Sequence, residues 1–547
     1  MNKLRSFIRS RYPWALAAGL LLAAAFPNWG VAGLAWIAPG LMVLAGIGKP
    51  PGQAFRIGYV AGLGHYLASL YWLLLIPVAW APILGWAALA AFLALYPATW
   101  VWFCWKIFPA RLADSGPKAI YGLAEKFLSV SWAARSAWTI GGAAAWVALE
   151  MMVSRFLGGF PWNLLGASQY RMLPLIQIAS WTGVYGVSFL PVWFSLAVLS
   201  AGMAVLGKPA TRSTWVAEMI LPMTAVGLIY ATGYHKLLQP EPERPQLTVA
   251  LIQPSIPQTL IWDPAGSQAR FEQLIKLSED ALAAKPDLII WPEAAVPKMV
   301  RYDAATGQAV TQLARQHKVW MIIGSDDAEP RPHASSPDDN DYFNASFLIS
   351  PQGELVDRYI KRNLVIFGEY VPLIHWLPFL KYLTPIEGGF TPGKGPVPFE
   401  LAGLHVHVSV LICFEDVFPQ LAREYVLPDT DFLVNLTNNG WFGEGAAQWQ
   451  HAASAIFRAV ENGVPLVRCS NNGLTCWVDA YGRVKQVLDG TDHGIYGRGW
   501  LLTRIPLLQP GETRTQTFYH QHGDWFGWAC VALTLAHLGQ GWARSRK

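Results

Sequence analysis

The chain has 547 residues, enough for two to four domains on length alone. Apolar residues make up 53% and charged ones only 14%, which excludes a disordered chain and argues against an ordinary soluble enzyme. Its 41 Lys and Arg against 36 Asp and Glu lie in short clusters between apolar runs, so no continuous basic face points to nucleic acid as a partner.

Apolar density is uneven along the chain. From Pro13 to about Tyr234 the sequence runs through Ala, Leu, Val, Trp and Gly in stretches suited to helices that cross a hydrocarbon core, which takes roughly 20 residues. Seven spans are predicted, at 14–27, 30–47, 57–77, 82–105, 137–154, 174–206 and 215–234, the first two short and interrupted by Gly and Pro. From Gln246 to about Ile505, strand-like runs alternate with polar amphipathic stretches, the pattern of a soluble α/β domain. A last apolar run at 525–540 reads as an eighth span. The expected division is a helical bundle over 1–235, a soluble α/β domain over 246–506, and a final span with its tail over 524–547.

Basic residues test that count. The clusters Lys3/Arg5/Arg9/Arg11, Lys49/Arg56, Lys106/Arg111/Lys118/Lys126/Arg135, Lys208/Arg212 and Arg544/Arg546/Lys547 alternate so that all face the cytoplasm. Only Arg155 and Arg171 remain in the short loops opposite, so the soluble domain lies outside the cytoplasm. Reading the N-terminus instead as a cleaved signal peptide leaves that domain on the same side. Glu150 and Arg155, near the end of one span, are either functional groups facing the bundle interior or an interfacial ion pair. His65 reads as a hydrogen-bonded bundle residue, with no second ligand at helical spacing. The segment Gly159-Phe160-Pro161-Trp162 reads as an aromatic anchor or a lipid-facing lip. Five cysteines show neither CxxC nor zinc spacing, so no metal site and no disulfide framework are expected, although a Cys469–Cys476 bridge stays open.

Three segments of the α/β region share one pattern, an apolar strand-like run followed at once by a reactive side chain. They are DLIIWPE ending at Glu293, RYIK ending at Lys361, and VSVLICFE carrying Cys413. Strand ends are where α/β folds gather active-site groups. A thiol of ordinary pKa near 8.5 needs a base or cation nearby to act as a nucleophile, and Glu293 can take its proton. Attack on an acyl carbonyl builds an oxyanion that a fixed ammonium such as Lys361 stabilises. A Cys–His pair with His451, in the helical stretch QWQHAASAIFRAVE, is the competing assignment. Singly, each residue has an ordinary explanation, a buried small hydrophobe, a helix cap or a solvated lysine; only the conjunction is informative.

The segments WPEAAVP, DRYIKRNLVIFGEYVP and LICFED, with TNNGWFG (437–443) and CSNNG (469–473), resemble the carbon–nitrogen hydrolase (nitrilase) superfamily and its Glu–Lys–Cys triad. The chain is more similar still to the membrane-bound branch of that superfamily, the apolipoprotein N-acyltransferases. The GFPW segment, IPQTLIWDP (256–264) and the order of spans, α/β domain and final span carry that resemblance across nearly the whole chain. It implies Glu293 as general base, Lys361 as oxyanion stabiliser and Cys413 as nucleophile, with Glu369 and Glu415 either orienting Lys361 or relaying protons. Trp262, Trp441 and Phe414 are implied as substrate contacts near an acyl-chain entrance. Where the family commonly has Tyr after the cysteine, this chain has Phe414, which lacks the hydroxyl.

The resemblance further implies an eight-span helical bundle carrying an αββα nitrilase-like sandwich, placed in a bacterial inner membrane with the α/β domain in the periplasm. The expected enzyme is a monomer without cofactor or metal. Its partners are a phospholipid acyl donor, the diacylglyceryl-cysteine of an apolipoprotein as acceptor, and the surrounding membrane lipids, with no nucleic acid. The rivals are a membrane-tethered amidase acting on a small C–N compound and a lipoprotein-binding factor with an inactive enzyme domain.

Overall fold

The computed structural model describes residues 10–110, 119–208, 213–261, 263–331, 339–372, 376, 389–491 and 493–545. Trp262 and the basic residues Lys3, Arg5, Arg9, Arg111, Lys118, Arg212, Arg546 and Lys547 lie outside the described residues. The chain divides into two compact units. One takes the residues up to Leu74, Ile83–Gln239 and those from His522 on; the other takes Leu75–Pro82 and Pro240–Gln521.

The first unit is helical. Its longer helices are α1 (Tyr12–Ala24), α2 (Ala38–Ala45), α3 (Pro51–Ser69), α4 (Ala81–Leu93), α5 (Leu95–Lys106), α6 (Ala119–Ser129), α7 (Trp132–Val153), α8 (Val184–Leu206) and α9 (Ser213–Leu238), followed after the second unit by a helix over Trp525–Ser545. Among the described residues four segments are long and apolar enough to cross a membrane: Ala81–Lys106, Trp132–Val153, Val184–Leu206 and Ser213–Leu238. They correspond to the predicted spans at 82–105, 137–154, 174–206 and 215–234. The third begins later than expected because Gly183, at φ +67, separates α8 from two short helical turns over Leu173–Ile176 and Ala179–Thr182. The run at 30–47 is likewise split, into a 3-10 turn over Ala32–Trp36 and α2, where Pro39 sits in the first helical turn. α1 has 13 residues, about 20 Å at 1.5 Å each, and α3 starts at Pro51, six residues before the predicted 57–77 span.

Small residues let these helices approach closely, the usual means of packing apolar helices. A Cβ on Gly19 would lie 2.0 Å from the Ala61 carbonyl oxygen, so α1 and α3 touch backbone to backbone there. Tryptophan N–H groups are satisfied by carbonyls of neighbouring helices, Trp100 on Gly142 at 2.7 Å and Trp138 on Cys104 at 2.9 Å. Arg135, counted above with a cytoplasmic cluster, is buried and pairs with Glu218 at 2.8 Å, while Ser200 donates to the same carboxylate at 2.7 Å. The Glu150–Arg155 ion pair does not form, because Arg155 is taken by Asp524.

The second unit holds two six-stranded sheets. Strands β1 (Gln246–Gln253), β2 (Leu288–Ile290), β3 (Trp320–Pro330), β4 (Asn340–Ile349), β5 (Leu355–Ile360) and β12 (Gly499–Pro506) order as β12-β1-β2-β3-β4-β5. The other sheet orders β6 (Pro398–Leu401), β7 (Val406–Ile412), β8 (Phe432–Thr437), β9 (Leu466–Ser470), β10 (Cys476–Val478) and β11 (Val484–Val487) in sequence. Read from β12 and from β6, both sheets repeat one pattern: an antiparallel pair, two parallel pairs, then two antiparallel pairs. The central strands are buried along their length, as parallel strands are when both faces are covered. Apolar faces of the helices Ser267–Leu282 and Ala304–His317 join the core of the first sheet through Leu274, Ala281, Val310 and Leu313. The sheets approach one another at Cys469, whose thiol meets the carbonyls of Ile252 and Ile290, each at 3.3 Å. The Cys469–Cys476 bridge left open by the sequence is absent. Cys476 sits opposite Arg468, so Cys469, one residue on, projects to the other face.

Candidate active site

Glu293, Lys361 and Cys413 arrive where strand pairing stops. β2 ends at Ile290 and continues through Trp291 and Pro292 to Glu293; β5 ends at Ile360 before Lys361; β7 ends at Ile412 before Cys413. Gly324 on β3 makes room for the first of these, since a Cβ there would lie 2.3 Å from the Pro292 carbonyl oxygen. The three predicted residues meet. Lys361 Nζ is fully buried, 3.4 Å from Glu293 Oε1 and 2.8 Å from Glu369 Oε1, and the charges of Glu293, Lys361 and Glu369 all act on the Cys413 thiol. Cys413 has φ +53, a left-handed conformation that costs a non-glycine residue energy and is common at functional turns.

Amide groups that the sequence reading did not single out complete the cluster. Asn344 on β4 donates to Glu293 Oε1 at 2.8 Å and to Glu369 Oε1 at 2.9 Å, so one side chain spaces two carboxylates. The backbone N–H of Asn438 donates to Glu293 Oε2 at 2.9 Å, and that of Val365 to Glu369 Oε2 at 2.8 Å. Thr437 donates to the Cys413 sulfur at 3.4 Å, and Asn435 to the Cys413 carbonyl at 3.0 Å. TNNGWFG marked Asn438 by motif, but nothing in NDYFNASF distinguishes Asn344 from a surface asparagine.

The electrostatics set the resting protonation. Burial alone pulls the Lys361 ammonium down, but Glu369 and Glu293 outweigh it and hold its pKa above the ordinary lysine value. Burial pushes the Cys413 thiol up to about 12, with Glu293 adding to the rise and Lys361 opposing it. Cys413 therefore rests as a thiol, with Glu293 as the neighbouring carboxylate to which a proton could pass. A third carboxyl, Asp326, stands opposite Asn344 in the β3–β4 ladder; burial, then the charges of Glu293 and Glu369, push it up to about 7.

Glu415 does not touch the lysine side chain. Completely buried, it accepts from the Tyr359 hydroxyl at 2.8 Å and from the backbone N–H groups of Arg362 at 2.8 Å, Asn363 at 3.0 Å and Ile412 at 2.7 Å. One carboxylate thus ties the strand end bearing Lys361 to the one bearing Cys413. His451, the rival base, reaches the carbonyl of Cys413 at 3.2 Å and Asp416 at 2.7 Å rather than the sulfur. Its other nitrogen faces Arg468 at 2.7 Å; burial and Arg468 pull its pKa below the ordinary histidine value. Phe414 is half-buried, edge-on to Phe418 at 5.1 Å, and Trp441 is half-buried in the turn over Asn439–Phe442. Among the described residues no group of His, Cys, Asp and Glu has the makings of a metal site.

Residues 248–496 match the family model for carbon–nitrogen hydrolase, and residues 18–197 match that for the apolipoprotein N-acyltransferase N-terminal domain. The chain is 36% identical over 544 residues to an apolipoprotein N-acyltransferase of Geobacter metallireducens, covering 96% of this chain and 94% of the relative. It is 29% identical over 563 residues to one of Vibrio vulnificus, covering 99% and 98%. Among solved structures, an amidase from Nesterenkonia sp. is 17% identical with a TM-score of 0.34, covering 48% of this chain and 90% of that one.

Proposed function

The chain belongs to the apolipoprotein N-acyltransferase family, and from that premise we propose that it moves a fatty acyl chain from a membrane phospholipid, through a thioester on Cys413, to the α-amine of the diacylglyceryl-cysteine of a lipoprotein. Lys361, buried between Glu293 and Glu369 beside the thiol, is the observation that carries this reading. Because the sulfur rests protonated, its proton passes to Glu293 as sulfur attacks the ester carbonyl, and Lys361 stabilises the oxyanion. Collapse breaks the ester C–O bond, Glu293 returns the proton to the leaving alkoxide, and a lysophospholipid departs. In the second half-reaction the amine attacks the thioester, its proton goes to Glu293, and the released sulfur regains one. Ping-pong kinetics follow.

Glu369 and Asn344 hold Lys361 and Glu293 in place, and Glu415 joins the two strand ends. Trp262, Trp441 and Phe414 shelter the acyl chain, each buried CH₂ contributing about 0.8 kcal/mol. The architecture we infer is an eight-span bundle over 1–235 and 524–547 carrying a four-layer αββα catalytic domain over 246–506, periplasmic and monomeric in a bacterial inner membrane. The family match of residues 18–197 favours this reading over a tethered amidase, which needs no such domain. Mass spectrometry of the purified protein with phospholipid tests it. A fatty-acyl adduct on Cys413, discharged by a diacylglyceryl peptide to give N-acylated peptide, is expected; hydrolysis alone would favour the amidase.

A further inference from the structure

Three features of the helical unit that acyl transfer leaves unused, Glu150 on α7, His65 on α3 and the Phe160–Trp162 turn, line a single cavity. It offers about 30 Å³ to the centre of a water-sized sphere, room for more than one water-sized group. Glu150 is 7% exposed and His65 3%. Glu150 Oε1 accepts from the Leu165 N–H at 2.7 Å and the Trp146 indole N–H at 2.9 Å, and the Ser188 hydroxyl lies against the same carboxylate. Glu150 Oε2 and His65 Nδ1 have no hydrogen-bond partner among the described residues. Nor does Glu150 have an ion-pair partner there, since Arg155 is bound to Asp524.

Two buried polar atoms without a partner are rare in a native structure, and a carboxyl oxygen left open in a cavity is a place for a donor. The group complementary to both carries several N–H donors and a positive charge. Tyr96, Trp146 and Trp162 line the same cavity, and aromatic faces attract cations. We propose that this cavity binds the primary ammonium group of an amphiphile, its N–H groups on Glu150 Oε2 and His65 Nδ1 and its apolar body against the aliphatic side chains of the lining, among them Leu149, Val153 and Leu164. The site does not depend on the acyl-transfer reading, and a failure of either leaves the other standing.

The test uses full-length protein in nanodiscs of phosphatidylglycerol, with and without phosphatidylethanolamine, and native mass spectrometry of the lipid that stays bound. Phosphatidylethanolamine is expected to be retained preferentially. Glu150→Gln, which keeps the Oε1 acceptor for Leu165 and Trp146, should lower that retention about tenfold and leave phosphatidylglycerol unchanged. His65→Phe, whose ring fills the same space without the acceptor, should act in the same direction and serves if Glu150→Gln fails to fold. Soluble phosphoethanolamine distinguishes the sources: displacement of the bound lipid makes the headgroup alone sufficient, and no displacement makes the whole lipid the ligand, both in support. Equal retention of the two lipids, or retention unchanged in both variants, means that the cavity holds only water and overturns the proposal.

Discussion

Glu415→Gln separates a tie between strands from a proton relay. In the native site one carboxylate oxygen serves the Arg362 and Asn363 N–H groups and the other serves Ile412, with the Tyr359 hydroxyl shared between them. Every partner is a donor, so the amide NH₂ of glutamine must face one. The cheaper orientation turns it toward Ile412, losing one charge-assisted bond at about 1.5–3 kcal/mol and weakening the others as the charge disappears. A loss of about 3 kcal/mol would lower Tm by about 6–12 °C for a domain of this size. Because the broken tie joins the strands bearing Lys361 and Cys413, acylation should fall by about 10²-fold, in line with the cost of small misplacements at a reacting centre. Thermal unfolding and time-resolved intact-mass measurement of the acyl-enzyme read the two effects on one preparation. An unchanged Tm with acylation lost would show that Glu415 acts in proton transfer, and the structural argument would be wrong.

Cys413→Ala should abolish thioester formation, whereas Cys413→Ser should keep the shape and lose most of the rate, both read as acyl adduct by mass. Lys361→Ala should lower acylation by about 10²–10³-fold without preventing folding of the strands it follows; unchanged turnover would remove it from the mechanism. For the free enzyme, a thiol raised to about 12 gains thiolate roughly tenfold per pH unit throughout the range below that value, so alkylation of Cys413 by iodoacetamide should keep rising to pH 10. A plateau near pH 8 would mean that the resting sulfur is already a thiolate.

The meeting of Glu293, Lys361 and Cys413 was legible because each ends a strand-like segment: the largely apolar runs before Glu293 and Cys413 form inner strands, whereas Lys361 follows the mixed edge strand β5 and stood out by motif. Its support was not. Asn344 lies in the middle of β4, where strand alternation turns it inward, and a single polar residue in a mixed strand carries no sign of which face is covered. Glu415 was visible by motif, but its role depends on four donors from two distant segments. His451 could be weighed as a base because a histidine near a nucleophile is chemically suggestive; only coordinates reveal that its ring stops at the backbone carbonyl. Among the helices, composition located the apolar runs but not their breaks. Gly183 is one more small residue in a membrane-like sequence until its positive φ ends a helix, and Arg155 had one obvious acidic neighbour in sequence and another, Asp524, far away along the chain.

Glu293 and Lys361 ride on one β-sheet and Cys413 on the other. Competence for chemistry is thus a matter of alignment between two layers, tied at the site by the hydrogen bonds of Glu415 and of Glu293. Hydrostatic pressure or mild heat that loosens their interlock should silence turnover before circular dichroism registers any loss of strand, and cooling or decompression should restore it.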